Sequence, residues 1–212
     1  FGPILSPFAV DQTDWYQIST APSLMNGHIF GTDDLGRDLF VRVMYGGRIS
    51  LMVGLVATLV SVFIGVTYGA VSGFLGGRVD ALMMRVVDVL YAMPFLFFVI
   101  LLMVFFGRSI FLIFVAIGAV NWLDIARIVR GQVLTIRELE YIEAGKVLAY
   151  KPFRIIFHHI LPNIVGPVIV IAAANFATAI LIESGLSFLG IGAQPPIPSW
   201  GAIIKDHYAY II

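Results

Sequence analysis

The residues best placed to do chemistry are few. Asp124 and Glu183 are acids near the ends of long uncharged runs, and Arg127 follows Asp124 by three residues. An ionisable group at membrane depth is costly unless paired or wetted, so each is either a structural partner or part of a path or gate for a proton, cation or other solute. Asp124 and Arg127 share a helix face and could pair across one turn; Asp88 stands at the entrance to another apolar run. His158 and His159 are adjacent, which on a helix points them about 100° apart, a poor geometry for one metal. The sequence contains no G-x-x-x-x-G-K-S/T, because Gly145-Lys146 is followed by Val147 and lacks the earlier glycine, so it has no loop to hold nucleotide phosphates. No H-E-x-x-H, no G-x-S-x-G and no cysteine is present either. These absences point to a non-catalytic chain with no cofactor or metal site of its own.

The elements that position these residues are set by lipid. Hydrophobic residues make up 59% of the 212 and charged residues 12%, and the mean hydropathy is +0.96. A soluble domain carries about 25% charge. Thirteen bases balance thirteen acids, which argues against nucleic acid as the main partner. A membrane-crossing helix needs about 20 apolar residues, and four stretches qualify: 49–73, 87–107 (entered through Pro94, which should kink it), 109–129 and 164–183. They are too long for barrel strands, so the expected fold is all-α, a polytopic transmembrane helix bundle. Residues 1–48, with five acids against three bases, read as an extracytoplasmic segment with an interfacial helix. The 131–163 connection holds Arg137, Lys146, Lys151 and Arg154, just after Arg127 and Arg130, and is expected inside by its basic bias. That places the 76–85 loop inside, and Arg108 and the 184–212 segment outside. Trp200, Tyr208 and Tyr210 in that outer segment suit interface anchoring. The chain starts at Phe1 and stops at Ile212 in a partly apolar stretch, so further elements are expected at both ends.

Two patterns stand out within this frame. Gly65, Gly69 and Gly73 recur every four residues, a smooth strip for close helix approach. The 131–163 connection alternates charged and apolar residues at helical spacing from Arg137 to Ala149, with Leu139, Ile142 and either Lys146 or Val147 near one face. A turn at Ala149-Tyr150-Lys151 follows, then a second short helix opened by Pro152 and closed by Pro162. Such a helix–turn–helix between two spans is either a plain connector or a knuckle for a soluble partner.

The same stretch resembles the EAA loop of ABC-importer permeases (E-A-A, three residues, G, nine residues, I, one residue, L-P). Here the pattern runs Glu143-Ala144-Gly145, Ala149 in place of glycine, His159 where isoleucine is frequent, and Leu161-Pro162. If Ala149 must adopt a left-handed backbone, it does so less easily than glycine. FGTDDLGRDLFVRVMYGGRISL, GGRVDALMMRVVDVL, WLDIARIVRGQVL, HILPN and ESGLSFLGIGAQPPIPSWG extend the resemblance to the C-type permeases of oligopeptide and dipeptide importers, of type I fold. The resemblance implies a bacterial inner-membrane, multi-pass subunit that lacks the family's first and last spans. It would pair with a homologous permease, two ATPase subunits that bind ATP and Mg, and an extracytoplasmic peptide-binding protein. Glu143, Ala144 and Gly145 would then lie in a coupling helix. From the residues alone, an ion-coupled secondary transporter using Asp124 and Glu183 stays open as the alternative.

Overall fold

The structure, a computed structural model, describes residues 6–107 and 109–208; Arg108 and Tyr210 lie outside them. Among the described residues the chain folds as α1 (Leu39–Leu75), α2 (Gly77–Tyr91), α3 (Phe95–Phe106), α4 (Ile110–Ile136), α5 (Glu140–Val147), α6 (Pro152–Phe188) and α7 (Trp200–His207). The fold is all-α, as the composition requires. Helices α1, α4 and α6 are long and apolar enough to cross a membrane; α2 and α3 reach that length and hydropathy only when taken together as one bent pair.

Several boundaries differ from the sequence expectation, each for an identifiable reason. The first helix begins ten residues before 49, because Asp38 caps it by accepting from the Val41 N–H at 2.8 Å. Charge ends an apolar run without ending a helix, and Arg42 and Arg48 both lie inside α1. The segment before it holds no helix among residues 6–38. Its order comes from carboxylates instead: Asp33 accepts from the Leu35 and Arg37 N–H groups and pairs with the Arg37 and Arg42 side chains.

The span expected over 87–107 is two helices that meet at 79°. Pro94 is the N-cap of α3 in an extended conformation, and a proline biases the residue before it away from the α region. The twelve residues of α3 rise only about 18 Å, short of the ~30 Å hydrocarbon. The span expected over 109–129 continues as α4 to Ile136, and its Arg127 and Arg130 find carboxylates on α2 at 2.8 and 2.5 Å.

The fourth span, expected over 164–183, is part of a 37-residue helix, α6. Pro162 does not close a separate helix as its position suggested. A π-turn over Ile156–Ile160 precedes it, with the Leu161 N–H reaching back to the Ile156 carbonyl. Proline has no N–H to continue the ladder and its ring crowds the carbonyl four residues back; the wider π-turn provides room there, and the Asn163 side chain donates to the His159 carbonyl at 2.6 Å.

Two apolar clusters hold the bundle. One joins Val53, Ala57, Val99, Ile117 and Ala179 from α1, α3, α4 and α6. The other joins Ala70, Val129, Val133, Ile142, Ile155, Ile160 and Ile164, and so includes α5, which lies between two spans rather than within one.

Candidate functional site

The connection between α4 and α6 is a built element. Ile142 is 1% exposed inside the second cluster, and Gly145, one turn on, is buried against the Tyr150 ring. Ile142 and Gly145 form the inner face of α5; of the other residues expected beside Ile142, Leu139, Lys146 and Val147 are all exposed. The outer face carries Tyr141, Ala144, Val147 and Leu148, all exposed, framed by Glu140, Glu143 and Lys146. Spacings of three and four place these apolar side chains along one stripe.

The helix ends in a Schellman turn: the Ala149 N–H bonds to the Lys146 carbonyl at 2.9 Å and the Tyr150 N–H to the Gly145 carbonyl at 3.0 Å. Ala149 occupies the left-handed position, at φ +53°. Glycine adopts that backbone without a Cβ penalty, so Ala149→Gly is expected to raise stability by about 1 kcal/mol. Chemical denaturation of the detergent-solubilised protein measures this; a lower midpoint would contradict it.

Tyr150 then receives a guanidinium on its ring, Arg154 at 4.3 Å, and His159 lies parallel to it at 6.2 Å between centroids. Leu161 packs on the same cluster, and Pro162 is exposed. At the other end of the connection, Arg137 donates to the Gly73 carbonyl at 3.0 Å and Lys146 to the Arg137 carbonyl at 3.4 Å. Of the residues in the motif, Gly145 and Leu161 pack inward, His159 is half-buried beside Tyr150, and Glu143, Ala144, Ala149 and Pro162 are exposed.

Gly65, Gly69 and Gly73 face α4. A Cβ at Gly65 would stand 2.6 Å from the Ile125 Cβ, and one at Gly73 2.9 Å from the Arg130 carbonyl oxygen. The strip leads to the Arg137 bond, so the close crossing of α1 and α4 and the seating of α5 share residues.

Asp124 and Glu183 are not brought together. Asp124 is exposed, and the pairing expected between it and Arg127 is not made. Arg127 reaches Asp88 at 2.8 Å and lies over the Tyr91 ring at 4.4 Å, gaining a carboxylate and a ring face at once from the neighbouring end of α2. Glu183 does not end its helix; it is fully buried. Its carboxylate accepts from the Ser50 and Ser187 hydroxyls, both at 2.7 Å. Those hydroxyls accept in turn from the Trp200 N–H at 3.3 Å and the Ala193 N–H at 3.0 Å. One carboxylate therefore ties α1, α6 and the segment between α6 and α7.

Sequence reasoning missed Ser50 and Ser187. The i, i+4 spacing of Glu183 and Ser187 was a usable signal; Ser50, 133 residues away, offered none. It also missed Asp80, which joins three helices by accepting from Ser72 at 2.6 Å and pairing bidentately with Arg130 at 2.5 Å.

The geometry has counterparts of known kind. The chain is 52% identical to the oligopeptide transport system permease protein OppC of Haemophilus influenzae, over 96% of its own length and 66% of that protein's. With OppC of Escherichia coli it shares 56% identity, covering 96% and 68%, and with the dipeptide transport system permease protein DppC of Bacillus subtilis 49%, covering 97% and 63%. It spans about two thirds of the length of these relatives. A chain of the MetNI methionine ABC transporter, solved in inward-facing conformations, shares the fold at a TM-score of 0.64 and 20% identity, over 80% of this chain and 81% of that one. Residues 65–212 match the family described as binding-protein-dependent transport system inner membrane component. With a matching family over most of its length, closely similar permeases and a shared bundle fold, the chain belongs to that family and is a multi-pass permease component of the bacterial inner membrane.

Proposed function

We propose that this chain is a permease subunit of an ATP-driven, binding-protein-dependent importer of oligopeptides or dipeptides, forming half of the translocation path. The names of its relatives supply the substrate class. The observation that carries the mechanism is α5: its inner face is locked into the bundle through Ile142 while its outer face is left bare. A helix held this way transmits a push to α1, α4 and α6 without absorbing it, because packed interiors move as units.

In this reading α5 lies on the cytoplasmic side and sits in a groove of an ATPase subunit. Two such subunits, binding ATP and Mg, grip this chain and a homologous permease. Closure of the ATPases draws the two α5 helices together and turns the bundle outward, where a peptide-binding protein delivers substrate. Each ligand shifts the balance only by its differential affinity for the two states. This chain contributes no catalytic residue; hydrolysis belongs to the partners.

The test is co-purification of the full-length protein in mild detergent. Glu143 and Ala144 are exposed, so Glu143→Arg and Ala144→Trp leave the seat of α5 intact. Each should reduce the ATPase recovered by roughly tenfold or more, as expected when a central interface residue is disrupted. If the ATPase is retained in full by both variants, α5 is a connector and the coupling reading fails.

A further inference from the structure

A groove of about 560 Å³ lies between α1 and α6, with Phe63, Val66 and Val71 on one wall and Phe157, Leu161 and Val168 on the other. Its lining is aliphatic and aromatic. The Thr67 hydroxyl, the polar group along it, is turned back to the Phe63 carbonyl at 2.7 Å. Phe63 is 74% and Phe157 47% exposed, so large apolar surface faces an open slot. On α6 the lining runs from Phe153 to Val168, a rise of about 22 Å at 1.5 Å per residue. One leaflet's share of the hydrocarbon is about 15 Å, so the slot is long enough for a single acyl chain lying along the helices.

The end of the slot at Phe153 is basic. Lys151, Arg154 and His158 are all exposed there, and no acid occurs from Lys151 to Ile182. The slot thus offers an apolar trough with exposed cationic side chains at one end, Lys151 and, lying over the Tyr150 ring, Arg154, which matches a negatively charged head on an apolar tail.

We propose that the groove holds one acyl chain of an anionic phospholipid from the leaflet on the α5 side, with its phosphate on Lys151 and Arg154. A bare transmembrane helix of another subunit would fill the trough but leave this charge unanswered. Because the groove adjoins Ile156 and Ala70 of the cluster that seats α5, an occupant there fixes the spacing of α1 and α6 beneath that helix.

Native mass spectrometry of the full-length protein in its purified assembly, titrated with dioleoyl phosphatidylglycerol or dioleoyl phosphatidylcholine, tests the assignment. The expected result is one phosphatidylglycerol per chain, bound about tenfold more tightly than phosphatidylcholine. Val66→Trp should abolish that binding, and Lys151→Ala with Arg154→Ala should bring the two lipids level. Equal binding by the unmodified protein overturns the proposal. A photo-crosslinking benzoylphenylalanine in place of Phe63, activated in intact membranes, does not depend on the folding of Val66→Trp. Capture of lipid supports the assignment, and capture of a polypeptide overturns it and gives the groove to a neighbouring helix.

Discussion

Gly69→Ala is expected to destabilise the bundle by about 3 kcal/mol, although it adds only one methyl group. The new Cβ would overlap the Ala126 carbonyl oxygen and stand 3.0 Å from the Arg130 nitrogen. Both are backbone atoms, so no rotamer change relieves the clash and α4 must move away from α1. That movement does not stay local. Arg130 pairs with Asp80 on α2, and Arg137, two turns further along, bonds to the Gly73 carbonyl. The crossing therefore positions the N-terminal side of the α5 connection as well.

A control lies on α4 itself. Gly131 is helical, exposed and has no atom within 4 Å of an added Cβ, so Gly131→Ala should be neutral or stabilising by up to about 1 kcal/mol. Unfolding midpoints of the two variants in one detergent, with membrane accumulation as a second readout, separate close packing from helix propensity. If Gly69→Ala behaves like Gly131→Ala, the glycine strip is incidental.

The fold was legible because lipid imposes a coarse and unmistakable pattern. Long uncharged runs and few charges sufficed to specify helices, and their approximate places followed. The boundaries were not legible, since charge marks the edge of an apolar run while hydrogen bonds mark the end of a helix. Asp38 and the π-turn before Pro162 both extend helices beyond the runs that announced them. In the α4–α6 connection, the turn at Ala149 could be read from residue types, and its left-handed backbone was anticipated as a strain. The burial of Gly145 instead of Val147 was not, because a short helix between two spans has two sides and only the tertiary fold decides which one is core. The polar clusters lay furthest from view. Arg127 had an acid three residues back and took one on another helix, and nothing along the chain joins Ser50 to Glu183.

That last cluster gives the second large effect. Glu183→Leu should cost about 3–5 kcal/mol, because it removes the acceptor of two buried hydroxyls and each unsatisfied group costs about 1–3 kcal/mol. Glu183→Gln should cost less, since its amide oxygen still accepts from one serine. Adding Ser50→Ala and Ser187→Ala to Glu183→Leu removes the stranded hydroxyls, yet recovery should be partial. The Trp200 and Ala193 N–H groups, which now donate to those hydroxyls, would then lose their acceptors. The ordering expected in thermal unfolding is therefore unmodified protein, Glu183→Gln, the triple variant, then Glu183→Leu. The loss should also open the segment between α6 and α7 to protease before the bundle melts, because that segment is held to α1 and α6 through these bonds. Glu183→Leu that unfolds like the unmodified protein, with that segment equally protected, would mean the carboxylate contributes nothing to this closure. A residue carrying a proton or cation through the path would instead show normal stability in the Glu183→Gln variant and a loss confined to transport, which makes the two roles separable in one set of variants.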